Sequence, residues 1–161
     1  MSEVPMGHAE RRSIEAECVA RSNAFAYHLD HKAYAELVAL FAPDGTFVRT
    51  GVRLEGRESI LAAMHKRPVE QFTRHITTNF HFTHVDRGSA RAVFYNQSYF
   101  AFLPGTPPFA YSSERMMLLD FIDIYTRTAE GWRFLERDAR AVLIPDELRD
   151  RLPPEAFGQA A

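Results

Sequence analysis

The chain has 161 residues, of which 46% are hydrophobic and 12% aromatic, and its formal net charge is −2. This length and composition predict one folded domain and exclude global disorder. The charge balance lacks the basic footprint of a nucleic-acid-binding protein, and no apolar run reaches the roughly 18 residues that span a bilayer. A polar start without a signal sequence and a single cysteine, Cys18, lead us to expect a cytoplasmic protein without disulfides.

Helical patterns fill most of the N-terminal half. A first helix is predicted to begin at an N-cap on Ser13, because apolar residues recur at helical spacing after it. Residues 1–12 are then a loose N-terminal arm. Two further helices are predicted over about 32–41 and about 57–67. The residues at 43–45, Pro-Asp-Gly, should end the earlier of the two with a turn.

The remaining segments have the alternation and turn residues of β-strands. The predicted strands lie at 46–49, 52–54, 72–86, 89–103, 110–128 and 131–143. Because the last four are long for a small protein, they must bend or carry bulges, which favours a curved sheet. Residues 144–161 form a C-terminal segment with a short helix predicted at its start, and this segment either caps a pocket or packs on a partner.

Helices followed by a run of antiparallel strands predict an α+β fold and not an alternating α/β fold. We expect a cone-shaped α+β barrel over residues 13–143, with a strongly curved, mainly antiparallel sheet. Three helices of the N-terminal half should cover its concave face. Alternate strand residues and helix faces would then line a cavity with an open mouth.

Several motifs, taken in chain order, resemble those of the SnoaL-like branch of the nuclear transport factor 2-like superfamily. They are DHKAYAEL (30–37) leading into LFAPDGTF (40–47), LEGRESI (54–60), TRHITTN (73–79), and YTR (125–127) with GWRFLER (131–137). The resemblance spans residues of roughly 13–143 and implies the cone fold. It also implies chemistry without a cofactor, because enzymes of this branch use an Asp–His pair to remove a proton and eliminate a neighbouring group.

By motif position, the resemblance implies that His75 is the catalytic base, that Asp30 orients it and that Arg137 steadies negative charge. From the residues alone, a strand histidine, a helix-end aspartate and an ion-paired arginine remain open readings of the same three positions. Phe25 stands five residues before Asp30, where relatives often carry a tyrosine or lysine. A phenyl ring cannot donate a proton, so isomerisation stays open beside elimination.

Further pocket residues are predicted from residue type and parity. Asn79 shares strand parity with His75, and Asn96 lies between Phe94 and Ser98 on one face. The candidate ligand-binding residues are Phe25, Tyr34, Met64, Asn79, Asn96 and Met117. This mostly apolar set predicts a small apolar ligand, aromatic, polyketide-like or steroid-like. No metal site is expected, since His81 and His84 fall on opposite strand faces.

Three functions are compatible with these patterns. The first is a cofactor-independent lyase or isomerase, and the second is a ligand-binding or assembly module with the same pocket. The third is a subunit of a larger complex. Apolar residues on the outer sheet face predict a homodimer or higher homo-oligomer through the sheet. These are Tyr95, Tyr99, Met116, Leu118, Ile122 and Ile124.

Overall fold

In a computed structural model of the chain, residues 5–102, 105–108 and 116–149 are described, and they form four helices and one six-stranded sheet. The elements in chain order are α1 (His8–Asp30), α2 (Tyr34–Ala39), β1 (Phe41–Arg49), β2 (Val52–Glu55), α3 (Gly56–His65), β3 (Gln71–Val85), β4 (Ser89–Phe102), β5 (Met116–Thr128), β6 (Gly131–Leu143) and α4 (Asp146–Arg149). This α+β architecture confirms the predicted fold class.

The sheet has the strand order β2-β1-β6-β5-β4-β3. Strands β3 to β6 form an antiparallel meander, and β1 joins its far edge by pairing in parallel with β6. Register shifts interrupt the β1–β6, β3–β4 and β5–β6 pairs. Bulges of this kind bend a strand and increase its twist, so they give the sheet its curvature.

The long first helix covers the sheet with one buried stripe. Its buried residues are Ile14, Cys18, Ser22, Phe25, Ala26 and Leu29, which include every position of the predicted stripe. The helix contacts β3, β4 and β6. Burial raises the pKa of the Cys18 thiol to about 12, so this cysteine acts as a small core residue and not as a nucleophile.

The start of α1 was predicted wrongly. The helix begins at His8 with Gly7 as its N-cap, so Ser13 lies inside it and not at its start. A tertiary contact accompanies the extra turns: Arg87, between β3 and β4, donates Nε–H to Glu10 Oε1 over 2.8 Å and Nη2–H to Oε2 over 3.0 Å. Local capping patterns carry no information about such a distant partner.

The predicted turn at 43–45 is instead an irregular part of β1. The β1–β6 register shifts between Phe41 and Thr46, which leaves the intervening residues as a bulge. A Cβ atom at Gly45 would lie 2.7 Å from the backbone oxygen of Phe134. Glycine is therefore required for the close approach of β1 to β6, and Pro-Asp-Gly does not mark the end of an element here.

A bulge in β6 reverses the alternation of side chains along that strand. Tyr125 pairs with Phe134 whereas Ile124 pairs with Glu136, so Leu135 is left over and is 41% exposed. Both Phe134 and Arg137 are fully buried. A strict two-residue alternation would instead put Leu135 on the same face as Arg137 and Phe134 on the opposite face.

The outer sheet face is only partly covered. Tyr95 is 48% exposed, and the other residues of the predicted apolar patch are half-buried. Self-association through this face stays a prediction. No helix among the described residues has the length and apolar character to cross a bilayer.

Candidate active site

The end of α1 and the start of β3 bring Asp30 and His75 together. The His75 ring nitrogen Nδ1 lies 2.6 Å from Asp30 Oδ1, and the His75 backbone N–H donates to Asp30 Oδ2 over 2.9 Å. The Thr73 hydroxyl adds a third hydrogen bond, to Oδ1, over 2.9 Å. The Asp30 and His75 side chains are only 5% and 11% exposed. These contacts hold the carboxylate and the imidazole in one arrangement.

The Asp30 carboxyl is held in its ionised form. Burial by itself would raise its pKa, but the hydrogen bonds and charge of His75, together with the Thr73 hydroxyl, outweigh burial and lower it. An ionised Asp30 accepts the Nδ1–H proton, which assigns the tautomer with a bare Nε2. Nε2 has no hydrogen-bond partner among the described residues. It is therefore the nitrogen available to take a proton.

The lowered Asp30 pKa predicts that the stability lost on replacing Asp30 depends on pH. Because the folded-state pKa lies below the unfolded one, the carboxylate stabilises the fold above about pH 4, and this contribution is lost as pH falls through the folded-state value. Asp30→Asn should lower the free energy of unfolding by about 1–3 kcal/mol at pH 7. The deficit should shrink toward about pH 3 in urea titrations followed by the fluorescence of Trp132, which is fully buried. An unchanged deficit across this range would contradict the assignment.

His75 lines a cavity of about 320 Å³, a size suited to a small organic molecule. The apolar wall is formed by Phe25, Leu29, Phe47, Phe100, Phe102, Met117, Leu119, Phe121, Ala139 and Leu148. The polar groups are fewer: Arg49, Thr50, Arg67, Gln71, Thr73, His75 and Ser98. A mostly apolar wall limits the access of water and orients a ligand through a small number of polar contacts.

Sheet register explains why residues from three neighbouring strands line the same cavity. His75 pairs with Ser98 on β4, and Ser98 pairs with Met117 on β5, so the three form one row across the sheet. Thr73 is two residues from His75 and shares its face. Leu148 reaches the cavity from α4, so the described part of the C-terminal segment contributes to the wall.

The predicted ligand-binding residues divide into two groups. Phe25 and Met117 line the cavity. Tyr34 and Met64 do not, because both are buried in the hydrophobic core, 9% and 0% exposed. Asn79 is exposed and has φ of 58°, since a register shift follows Thr78 and breaks the strand parity that linked Asn79 to His75.

Asn96 lies behind the cavity wall and not in it. It is 1% exposed, and its Oδ1 accepts a hydrogen bond from the Ser98 hydroxyl over 2.7 Å. Ser98 itself lines the cavity. Asn96 therefore orients a wall residue, and the expectation that it contacts ligand directly is corrected.

Arg137 is also displaced from its predicted place in the pocket. Its side chain is 0% exposed and forms a two-pronged ion pair with Asp123, with Nε–Oδ1 at 2.8 Å and Nη2–Oδ2 at 2.5 Å. The guanidinium carbon lies 4.2 Å from the centre of the Phe25 ring, and Phe25 faces the cavity. Arg137 thus lies on the inner face of β6 but inside the core, where its ion pair is structural.

The Arg137 ion pair is part of a buried polar cluster. Ser22 donates to Asp123 over 2.6 Å and accepts from Arg137 Nη2 over 2.7 Å. Tyr125 donates its hydroxyl proton to Asp123 over 2.9 Å. Burial raises the pKa of Tyr125 well above its ordinary value, so the phenol keeps its proton. Each member forms a hydrogen bond with another, although Arg137 Nη1 is buried without a partner among the described residues.

Sequence reasoning missed six polar wall residues: Arg49, Thr50, Arg67, Gln71, Thr73 and Ser98. Thr73 carried a usable signal, because strand alternation places it beside His75. Ser98 was identified only as a face-sharing neighbour of Asn96. Arg49 and Arg67 carried no local signal, since each stands next to a turn whose direction depends on the whole fold. Among the described residues, no group of His, Cys, Asp and Glu side chains is arranged to hold a metal ion.

Comparisons with known proteins support the fold. Solved structures with the same fold include a scytalone dehydratase-like protein from Novosphingobium aromaticivorans, with 18% identity, 84% of this chain and 89% of that chain covered, and a TM-score of 0.68. A hexachlorocyclohexane dehydrochlorinase (LinA) type 2 shares 13% identity over 85% of this chain and 90% of that chain, with a TM-score of 0.71. At these identities the likeness establishes the fold alone.

A sequence match places the chain in a family. No curated protein sequence matches the chain. The model of the SnoaL-like domain matches residues 10–138, which include Asp30, His75 and the buried polar cluster. The chain therefore belongs to the SnoaL-like domain family, in the SnoaL-like branch of the nuclear transport factor 2-like superfamily.

Proposed function

We propose that this protein is a cofactor-independent acid–base enzyme that acts on a small, largely apolar molecule. His75 takes a proton from a carbon next to a carbonyl or a leaving group, and Asp30 orients the imidazole. The observation that supports this proposal is the 2.6 Å contact between His75 Nδ1 and Asp30 Oδ1 at the wall of an apolar cavity.

The chemistry follows from the two ring nitrogens. The bare Nε2 forms a bond to the substrate proton, and the electron pair of the broken C–H bond stays on carbon or moves to a carbonyl oxygen. The imidazolium that results is stabilised by the adjacent Asp30 carboxylate. The electron pair then expels a leaving group, which gives elimination, or the proton returns at another carbon, which gives a double-bond shift.

The names of two structural neighbours favour elimination. A dehydratase removes water and a dehydrochlorinase removes hydrogen chloride, and in both reactions a proton is lost next to a departing group. Phe25 lines the cavity where relatives often carry a proton-donating side chain. A good leaving group, or an isomerisation that needs none, therefore suits this site best.

A ligand-binding module without chemistry is the second candidate. The observation that favours it is the same phenyl ring of Phe25 in the wall, because no proton can come from that position. The two candidates differ in their pH response. A catalytic imidazole makes turnover change steeply between about pH 5 and 8, whereas binding of a neutral ligand stays nearly flat there.

One probe separates elimination, proton exchange and binding alone. In deuterium oxide with 3-hydroxy-1-tetralone, deuterium incorporation beside the carbonyl, followed by NMR, reports proton removal. Formation of 1-naphthol, followed by fluorescence, reports loss of water. We expect the protein to accelerate deuterium incorporation and His75→Gln to abolish most of the acceleration. Saturable binding of the ketone with exchange at the buffer rate would instead support the binding module.

A further inference from the structure

Two arginines line the cavity without a carboxylate partner in the part of the chain that the structure describes. Arg49 stands at the end of β1 and Arg67 follows α3, and both contribute to the wall that His75 shares. Within residues 5–102, 105–108 and 116–149, neither guanidinium lies within salt-bridge distance of a carboxylate. Elsewhere in the chain, arginines such as Arg53 and Arg87 pair with glutamates. The cavity therefore holds cationic charge that the described residues leave unpaired.

The surroundings of Arg67 leave one of its donors without a partner. Its Nε atom is buried and makes no hydrogen bond within the described residues, whereas its Nη2 reaches the Thr73 hydroxyl over 3.4 Å and a side-chain hydrogen bond with Tyr34 also supports its charge. A buried donor without a partner costs free energy, and a charged one costs more. The donor set of Arg67 is thus incomplete among the described residues.

The two guanidiniums also act on each other. Arg49 is exposed at the end of β1, yet partial desolvation of its guanidinium and the charge of Arg67 lower its pKa, so the two arginines repel each other. Burial lowers the pKa of Arg67 as well, against the favourable influence of Tyr34 and Asp30. An anion between them would relieve this repulsion and satisfy the free donors. The two oxygens of a carboxylate match the planar fork of a guanidinium.

We propose that Arg49 and Arg67 form a carboxylate-binding subsite, so that the ligand of this cavity is an apolar molecule that carries a carboxylate. This inference rests on the proposed function, because it places the anionic end of that enzyme's substrate at the two arginines and its apolar body along the wall. It names a narrower substrate class than the small apolar ligand that the sequence predicts.

Paired probes of nearly equal shape test the subsite. Dissociation constants of 2-naphthoate and 2-naphthamide are measured by calorimetry at about pH 8, where imidazoles are mostly neutral. We expect 2-naphthoate to bind the protein at least about tenfold more tightly than 2-naphthamide. Arg49→Gln and Arg67→Gln should each remove about tenfold of affinity for the carboxylate and leave the affinity for the amide unchanged. The exposed Arg12 on α1, outside the cavity wall, supplies the control Arg12→Gln, which should keep the preference.

The outcomes distinguish this subsite from the catalytic proposal. Equal affinity for the two probes, binding of neither probe, or a preference that survives both arginine substitutions would overturn the subsite. His75→Gln should keep the preference for the carboxylate, because the imidazole is not part of the subsite. If the unaltered protein does not accelerate deuterium incorporation into the tetralone but still binds 2-naphthoate more tightly than 2-naphthamide, only the catalytic proposal is rejected.

Discussion

Replacement of His75 by glutamine is expected to lower turnover by about 10²–10⁴-fold, the usual contribution of a positioned general base. Asp30→Asn should cost a similar factor, because an amide can still accept from Nδ1 but cannot stabilise the imidazolium. Both side chains are nearly buried and held by several hydrogen bonds, so the loss should appear in kcat more than in KM.

A second His–Asp pair in the same strand region provides the control. His84 Nε2 lies 2.8 Å from Asp86 Oδ2, but both side chains are more than half exposed. His84→Gln and Asp86→Asn remove the same chemical groups from the surface and should leave turnover unchanged. Full turnover in His75→Gln and Asp30→Asn, with a native circular dichroism spectrum, would rule out the mechanism.

Arg137→Met is expected to lower the free energy of unfolding by about 3–5 kcal/mol, because it leaves the Asp123 carboxylate buried without its cation. Urea denaturation at pH 7, followed by Trp132 fluorescence, measures the loss. The double variant Asp123→Leu/Arg137→Met should recover much of the stability, since it removes both charges from the core.

The control for this prediction is an exposed ion pair on the same strand. Arg140 contacts Asp138 over 2.7 Å, and its side chain is 44% exposed. Arg140→Met should cost less than about 1 kcal/mol. A similarly small cost for Arg137→Met would show that Arg137 is not paired in the core and would reopen its assignment to the pocket.

The elements that local patterns define were predicted well. The apolar stripe of α1 and the long strands β3, β4 and β6 have strong periodicity and clear turn residues, and each lies within a few residues of its predicted position. Errors occurred where a distant contact decides the structure. Glu10, in the unpredicted first turn of α1, contacts the distant Arg87, and Gly45 lies in a strand because β6 passes close by.

The candidate site was predictable in its centre and not at its edges. Family motifs single out Asp30 and His75, and the structure brings the two side chains into contact. Parity arguments failed at Asn79 and Leu135, because a bulge in β3 and another in β6 reverse which face a residue occupies. Arg49 and Arg67 line one cavity because the fold brings the end of β1 near the segment that follows α3. No local sequence pattern encodes this proximity.

The protonation state of the His75 ring tests the central claim without any substrate. In ¹⁵N-labelled protein at neutral pH, two-bond ¹H–¹⁵N correlations distinguish a protonated ring nitrogen from a bare one. With Asp30 as acceptor, Nδ1 should be protonated and Nε2 bare, and Asp30→Asn should weaken this preference. A proton on Nε2 and a bare Nδ1 would contradict the account, because the nitrogen that must accept the substrate proton would already be occupied.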